Sequence, residues 1–274
     1  MDRVAGLRRA AVEALGKVGG AAEEASLIAA SSDPDAGVRG EAALALFRQR
    51  LLKRVPEYST AAVTRLALLA ADPDPEVRWR AVYAASRWPE PRMTTALGIA
   101  TQDGDARTRL FAVRSLAKLA LAPDEKLLSD PDLYVRAETV AAFSAAKAWA
   151  RLPDALFGDP STHVRAAAAD AAAASGDERF IPLLNRMPPG ALAEGRALLA
   201  LAKLQGDAAA GALAKARLDP RWWIRARAYE ASAVLFNGAE ILLSGITEPD
   251  PRVSSQALET LAASTSPLAL PALE

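Results

Sequence analysis

The sequence has no cysteine and only one histidine, His163. Without cysteine the chain cannot form disulfide bonds or thiolate metal sites, although this absence does not fix its compartment. A single histidine also removes most zinc chemistry, because zinc sites usually need several nitrogen or sulfur ligands. We therefore predict no cofactor and no metal site from the residue types present.

Neither sign of charge predominates, because 33 lysines and arginines balance 33 aspartates and glutamates. Nucleic-acid binding depends largely on the neutralisation of phosphates, so the zero net charge disfavours it. A segregation of basic residues onto one face would still permit it. Nucleic acid is thus a disfavoured partner.

Long apolar runs are also missing. A membrane helix needs about 20 apolar residues, and the nearest candidate, residues 166–175, contains Asp170. The N-terminal segment is charged and amphipathic and lacks the apolar core of a signal peptide. We predict no membrane span and no signal peptide, and take the cytoplasm as the default location with the compartment otherwise open.

Aromatic residues make up only 5% of the chain, and the alternating β-branched runs typical of strands are absent. Alanine, by contrast, is abundant. It is the best helix-forming residue, and its small side chain lets helices approach closely. The composition therefore favours an all-α fold.

One motif recurs along the chain: Asp-Pro followed by four residues and then Arg, usually with Val or Ile before the Arg. Clear copies start at Asp33, Asp72, Asp130, Asp159 and Asp219. Weaker copies start at Asp2 (with Arg8), at Asp103 (with Arg109) and at Glu248, where Ser254 replaces the Arg. The starts at Asp159 and Asp219 lie two units apart, so a degenerate copy is expected in residues 187–196. The spacing predicts about nine repeats.

Each copy begins a helix in this interpretation. Asp can accept hydrogen bonds from free N–H groups at a helix start, where the missing N–H of the next Pro costs nothing. Apolar or small residues then follow at helical spacing and predict one buried face. A second, shorter helical pattern separates successive copies, so that neighbouring helix pairs must stack to bury their apolar faces. In the first copy the predicted buried residues are Leu7, Ala11, Val12, Ala14 and Leu15.

The pattern D-P-x-x-x-V-R-x-x-A-x-x-A-L, followed by a turn and a second helix, resembles the HEAT repeat, in particular the short bacterial form also seen in phycobilin lyases. The resemblance covers nearly the whole chain. It implies an α-solenoid, a right-handed superhelix of about nine HEAT-like helix pairs, in which the helices that begin at the motif line a concave wall. It departs at Ser254 and in residues 187–204, where the Asp is missing and Arg196 stands one position late. We expect irregular packing there.

We interpret residues 1–274 as a single repeat array. The chain begins with a lone motif helix and ends in residues 268–274, LALPALE, which are too short for a full helix and contain Pro271. We therefore expect a fragment of a larger protein, with a further domain fused to it. Residues 50–59 form an insertion that should lengthen a loop, and the short helices near 124–128 and 150–157 should leave the outer layer thin.

The recurring Asp and Arg residues predict a structural ladder, because a feature present in every repeat does not mark a single active site. An Arg six residues after its Asp is too far round the helix to pair with it. Packed helices, however, lie roughly 10 Å apart, a distance that an Arg side chain can bridge. We predict that Arg78 contacts Asp33 or Asp103, and that Arg136 contacts Asp103 or Asp159. The predicted ladder consists of Asp33, Arg39, Asp72, Arg78, Asp103, Arg109, Asp130, Arg136, Asp159, Arg165, Asp219 and Arg225.

A second set of residues should point away from the core along the motif helices. It is rich in aromatic residues with Arg beside them, a combination that is enriched at interface hot spots. Packing of these rings against neighbouring helices is the alternative. The candidate partner-binding residues are Trp79, Arg80, Tyr83, Phe111, Arg114, Tyr134, Trp223 and Arg227.

Catalytic motifs are not recognisable in the sequence. His163 could act as a general base or pH sensor, but its place near a helix start is more typical of a surface residue. No nucleophile has an identifiable triad partner, and no Gly-rich phosphate loop is present. We predict that the chain is not an enzyme and that any catalysis would reside in a domain outside it.

Three functions remain open. The first is a protein- or peptide-binding scaffold that uses the concave face, with a partner whose identity the sequence does not give. The second is nucleic-acid binding, as in HEAT-like DNA glycosylases, which would require a basic groove. The third is an enzyme similar to bilin lyases, for which no cofactor-specific residue can be named.

Overall fold

A computed structural model describes residues 3–88 and 90–264. In this part of the chain all regular secondary structure is helical, and there is no strand. The α-helices are α1 Arg3–Val18, α2 Glu24–Ala30, α3 Ala36–Leu51, α4 Thr60–Leu69, α5 Pro75–Arg87, α6 Thr94–Ala100, α7 Ala106–Lys118, α8 Leu133–Ala145, α9 Thr162–Ser175, α10 Ile181–Asn185, α11 Ala191–Gln205, α12 Ala210–Ala216, α13 Trp222–Ser232, α14 Gly238–Gly245 and α15 Pro251–Ala262. Short 3-10 helices span Ala21–Glu23, Pro91–Met93, Glu125–Ser129, Trp149–Arg151, Asp154–Gly158, Glu178–Phe180 and Gly206–Ala209.

The helices pack in pairs that follow one another along the chain, which confirms the predicted all-α solenoid class. Helices α1, α3, α5, α7, α8, α9, α11, α13 and α15 follow the copies of the motif and are called motif helices here. The chain divides into two compact units, residues 1–148 and 149–274. Within each unit every motif helix packs on the next motif helix, and the shorter helices cover one side of that layer.

The core of the first unit follows the helical spacing of the motif. The residue that precedes each ladder Arg of this unit is buried: it is Val at Val38, Val77 and Val135, and Thr at Thr108. The short helices contribute large apolar residues to the same layer, including Leu27 and Leu66. Full burial of a side chain of this size stabilises the fold by roughly 1.5 to 3 kcal/mol.

The prediction of a buried apolar face is wrong for part of α1. Leu7 is 69% exposed, and Ala11 and Ala14 are exposed as well. Among the described residues α1 packs on α2 and α3, which lie on the side of Val12. The face that other motif helices bury against a preceding helix is therefore left open on α1.

The insertion in residues 50–59 lengthens the connection between α3 and α4. Two of its side chains, Val55 and Tyr58, are buried and hold it against the rest of the unit. The guanidinium group of Arg50 lies 5.1 Å from the ring centroids of both Tyr58 and Trp88, so that cation–π contacts help to hold the loop.

The outer layer is thin where short helices were expected. Glu125–Ser129 forms a 3-10 helix instead of an α-helix, and the same is true of Asp154–Gly158 in the second unit. Each of these turns still buries two apolar residues, namely Leu127 and Leu128 in one case and Leu156 and Phe157 in the other.

The motif helices begin two residues later than expected, and the Asp before Pro is not the helix cap. In five copies another Asp, such as Asp35 or Asp74, accepts the N–H of the first turn, and Ser161 does so in α9. The Asp before Pro instead accepts the N–H of that capping residue; the distance from Asp35 N to Asp33 Oδ1 is 2.9 Å. The same carboxylate also accepts two hydrogen bonds from Arg8, one at each oxygen.

The motif helix of the degenerate repeat is α11. It starts after Gly190, and no side chain caps its first turn. The stretch Ala191–Ala216 is long and apolar enough, by length and composition alone, to cross a membrane. A core helix passes the same test, so this is weak evidence for a span. In the structure the stretch comprises α11, a turn with a positive φ of 54° at Gly206, and α12.

Two sequence features fall outside the described residues. One is Asp2, the start of the first motif, and the other is the terminal segment 268–274 with Pro271.

Candidate functional site

The ladder arginines of the first unit hold the aspartates of the following repeat. Arg78 Nε lies 2.5 Å from Asp103 Oδ2, and Nη2 lies 3.1 Å from Asp103 Oδ1, so that Arg78 contacts one of its two predicted partners. Arg109 binds Asp130 in the same way, with both distances 2.8 Å. The pairs Arg8–Asp33 and Arg39–Asp72 repeat this geometry. A bidentate guanidinium–carboxylate pair of this kind is stronger and more directional than a single contact.

The third nitrogen of each ladder Arg serves its own repeat. Arg78 Nη1 donates to the backbone carbonyls of Asp72 and Pro73, at 3.0 and 3.1 Å. Arg136 Nη1 donates to the carbonyls of Asp130 and Pro131, whereas the carboxylate partner of Arg136 stays a prediction. Each ladder Arg thus fixes the loop from which its own helix starts, which is Asp-Pro in most repeats and Asp-Gly at Arg109.

The carboxyl groups of Asp33, Asp72 and Asp103 in the ladder have lowered pKa values. At Asp33 the hydrogen bond from Arg8 is the main cause. At Asp72 and Asp103 burial acts in the opposite direction, but the hydrogen bonds from Arg39 and Arg78 and the backbone N–H donors outweigh it and lower the pKa. These groups are therefore stabilised as carboxylates.

The ladder changes in the second unit, where the motif degenerates. Arg165 Nη2 donates to the carbonyl of Pro189 at 3.0 Å, since that repeat has no Asp to offer. The Nε of Arg165 is buried without a hydrogen-bond partner. Arg225 lies 3.5 Å from the carboxylate of Glu248, which is longer than the contacts of the first unit.

A cluster of aromatic rings lies on the motif helices of the first unit. Tyr83 is at its centre, with its ring centroid 5.6 Å from that of Phe47 and 5.1 Å from that of Phe111, both in edge-on geometry. Trp79 lies 6.2 Å from Tyr83 and 6.3 Å from Phe111. These separations are in the range in which aromatic pairs attract one another. The structure thus brings together three of the predicted aromatic residues, each half-buried.

Arginine side chains border these rings. The guanidinium carbons of Arg80 and Arg107 lie 5.5 and 5.2 Å from the ring centroid of Trp79, and that of Arg114 lies 5.7 Å from Phe111. Such cation–π contacts keep the arginines flat against the surface. We call this region the aromatic–arginine face; it consists of Phe47, Trp79, Arg80, Tyr83, Arg107, Phe111 and Arg114.

Carboxylates balance the charge of this face. Glu76 lies 2.7 Å from Arg107 and 3.6 Å from Arg80, and it also accepts the indole N–H of Trp79 at 2.8 Å. Arg114 binds Glu138 at 2.8 Å. Three arginines are therefore matched by nearby acidic groups, and the pKa of Glu76 is lowered by its hydrogen bonds to Trp79 and Arg107.

The remaining predicted partner-binding residues lie elsewhere. Tyr134 is on α8 in the first unit and is 54% exposed. Trp223 and Arg227 are on α13 in the second unit, where they line a small cavity of about 140 Å³ with Arg196. Arg227 forms an ion pair with Glu230, and the indole N–H of Trp223 is buried without a hydrogen-bond partner.

Sequence reasoning missed Phe47 and Glu76 as members of the face. Glu76 could have been found, because it precedes Trp79 by three residues and such pairs lie on the same side of a helix. Phe47 lies near the end of α3, and its contact with Tyr83 depends on how two helices are offset, which the sequence spacing does not give.

His163 is exposed in the first turn of α9, as expected of a surface residue. Among residues 3–88 and 90–264 no group of three or more His, Asp or Glu side chains is arranged to hold a metal ion.

The chain has a HEAT-like helical repeat fold, as comparison with solved structures indicates. It is similar to YibA of Escherichia coli, with a TM-score of 0.58 and 16% sequence identity over 96% of this chain and 98% of that one. An engineered protein gives a TM-score of 0.49 and 19% identity over 93% of this chain and 84% of that chain. No family model matches the sequence, and no curated protein matches it either. At 16% identity the similarity to YibA defines the fold alone.

The prediction that the chain is not an enzyme is corrected by the same comparison. Human deoxyhypusine hydroxylase matches over 94% of this chain and 96% of its own, with 17% identity and a TM-score of 0.34. By its name that protein is an enzyme, so a helical repeat of this kind does not exclude catalysis. A likeness at this TM-score carries no argument for the same activity here.

Proposed function

We propose that the chain binds a protein or peptide partner through the aromatic–arginine face of its first unit. The observation that carries this proposal is the joining of half-buried Trp79, Tyr83 and Phe111 into one patch bordered by arginines. Trp, Tyr and Arg are the residues most enriched at interface hot spots. Their ring edges are held in place by one another, so little side-chain entropy is lost when a partner covers them.

The charge of the face supports a polypeptide partner over a nucleic acid. Nucleic-acid sites leave arginines available to phosphates. Here Arg107 and Arg114 are already bound to Glu76 and Glu138, and a polyanion would have to compete with these carboxylates. A polypeptide can instead exchange individual ion pairs and place apolar side chains on the rings.

The proposal can be tested by selecting peptides that bind the whole chain from a random display library and measuring the affinity of the best ones by fluorescence polarisation. We expect Trp79→Ala to weaken binding by on the order of 2 kcal/mol, or about 30-fold. Arg107→Ala, at a more exposed side chain, should weaken it by a smaller factor.

Trp88→Ala is the matched control. Trp88 is also half-buried and in the same unit, but its ring packs against Arg50. Its replacement should lower stability and leave peptide affinity unchanged. Equal losses of affinity for Trp79→Ala and Trp88→Ala would argue against the face. So would tight, strongly salt-dependent binding of DNA that Trp79→Ala does not affect.

A further inference from the structure

The second unit contains an apolar cavity of about 550 Å³ beside the degenerate repeat. Its walls come from α10, α11, α12 and the start of α13, and its volume is in the range of roughly 300 to 1,000 Å³ found for small-molecule sites. Its apolar lining residues include Leu184, Met187, Ala197, Leu198, Leu201 and Ile224.

The cavity lies where the motif fails. Helix α10 has only five residues, and residues 187–190 replace the Asp-Pro loop that other repeats place here. The side of α11 that carries Leu198 is therefore left incompletely covered by its neighbours. Leu218 extends the apolar surface at the mouth, where it is 85% exposed. Apolar surface of this kind in contact with water is unfavourable until something covers it.

The charged residues at the rim indicate what kind of molecule fits. Arg221 is held by two carboxylates, with 2.9 Å from Nη1 to Glu194 Oε2 and 2.9 Å from Nε to Asp219 Oδ1. Lys215 supplies a second positive charge at the rim, so two cations face two anions. The rim therefore has no excess charge with which to select an ionic head group.

We propose that this cavity is a binding site for a neutral, predominantly apolar small molecule. Its affinity would come from burial of apolar surface on Leu198, Leu201 and Ile224. Flexible Met187 would adapt the wall to the shape of the ligand. This site is separate from the aromatic–arginine face and does not depend on the function proposed for that face.

The neutral fluorescent probe N-phenyl-1-naphthylamine tests the proposal by titration of the whole chain. We expect saturable binding at one site with an increase in probe fluorescence. Ala212→Trp places a large side chain in the cavity from α12 and should weaken binding at least about tenfold, as expected when a ligand pocket is filled. Ala214→Trp is the matched control, because Ala214 is an exposed residue of the same helix that does not line the cavity.

A second variant, Leu198→Asn, makes the wall polar without filling the space and should also weaken binding. Thermal melting by circular dichroism shows whether each variant is folded. Absence of saturable binding, or equal affinity of the Ala212→Trp and Ala214→Trp chains, would overturn the proposal. So would clearly tighter binding of the anionic analogue 1-anilinonaphthalene-8-sulfonate, or displacement of the probe by a leucine-rich peptide but not by small neutral apolar compounds.

Discussion

The guanidinium group of Arg39 binds the carboxylate of Asp72 in the next repeat, with 2.7 Å from Nε to Oδ2 and 2.9 Å from Nη2 to Oδ1. Its remaining nitrogen, Nη1, donates to the backbone carbonyls of Asp33 and Pro34 at 2.9 and 3.0 Å. One side chain therefore fixes the start of its own helix and also the start of the next motif helix. Because the same contact recurs along the first unit, it sets the register between successive repeats.

The ladder should contribute more to stability where it is more deeply buried. The side chains of Arg109 and Asp130 are 13% and 5% exposed, whereas those of Arg8 and Asp33 are 38% and 11% exposed. Arg109→Ala leaves the buried Asp130 carboxylate unpaired and should lower the free energy of unfolding by about 2 to 3 kcal/mol. Arg8→Ala should cost clearly less, because water screens that pair. Urea denaturation followed by circular dichroism measures both.

Arg109→Lys is the control for geometry. Lysine keeps the positive charge but cannot form two parallel hydrogen bonds, so we expect an intermediate loss of stability. If Arg109→Ala and Arg8→Ala were equally destabilising, burial would not be what gives the ladder its strength.

Acid should weaken the fold over a defined pH range. The pKa of Asp250 is lowered from its ordinary value of 3.8 to about 2, chiefly by the hydrogen bond from Arg252, and the pKa values of Asp33 and Asp103 are lowered as well. A carboxyl group whose pKa is lower in the folded chain stabilises the fold above its ordinary pKa. This stabilisation is lost as pH falls through the folded value.

The melting temperature should therefore decline between about pH 4 and pH 2, with no contribution from these groups to any change above that range. Circular dichroism melts in a pH series measure the decline. The Asp103→Asn chain lacks one of the carboxyl groups whose pKa is lowered by folding. Its melting temperature should therefore be lower at about pH 4 and should fall less steeply between about pH 4 and pH 2. A decline that is as steep in Asp103→Asn as in the natural chain would show that this carboxylate is not linked to folding.

Much of the fold could be predicted from sequence because it rests on periodic features. The spacing of Asp and Arg, together with Val38 and its equivalents, repeats often enough to define the motif helices. It left open whether Arg78 pairs with the preceding or the following repeat. The helix caps were assigned wrongly because D-P-D offers two aspartates, as at Asp33 and Asp35. The choice between them depends on backbone angles in the loop.

The candidate site was only partly predictable. The sequence placed Trp79 and Tyr83 on one side of α5, because the spacing of two residues within a single helix determines whether they share a side. Their contacts with Phe47 and Phe111 depend on the offset between neighbouring helices, which no local pattern records. The apolar cavity was unforeseen as a site, although the loss of the motif in residues 187–204 predicted irregular packing there.

The aromatic cluster should also contribute to the stability of the first unit. Tyr83 contacts three other rings and packs on the core, so Tyr83→Ala should lower the free energy of unfolding by about 2 kcal/mol, less than for a fully buried aromatic residue. Tyr134→Ala removes a ring that is 54% exposed and should change it by no more than about 0.5 kcal/mol. Urea denaturation of both variants tests the difference; similar losses would mean that Tyr83 is not held by the cluster.

Two glycines of α1 should respond in opposite ways to the same substitution. A Cβ atom at Gly16 would lie 2.7 Å from both Cα and Cβ of Ala45 on α3, a distance at which the two helices must move apart. A Cβ atom at Gly6 would have no heavy atom within 4 Å. Gly6→Ala should therefore stabilise the chain by roughly 0.5 to 1 kcal/mol, because alanine loses less backbone entropy in a helix.

Gly16→Ala gains the same helix propensity but overpacks the contact between α1 and α3, which costs about 1 to 3 kcal/mol. Its melting temperature should fall while that of Gly6→Ala rises, and thermal melts of the two single variants give the comparison. Because the two positions are in one helix, propensity cancels between them and the difference reports the contact with Ala45. A rise in melting temperature for both variants would show that α1 can shift on α3 without loss, and that close packing at Gly16 does not hold the first repeat in place.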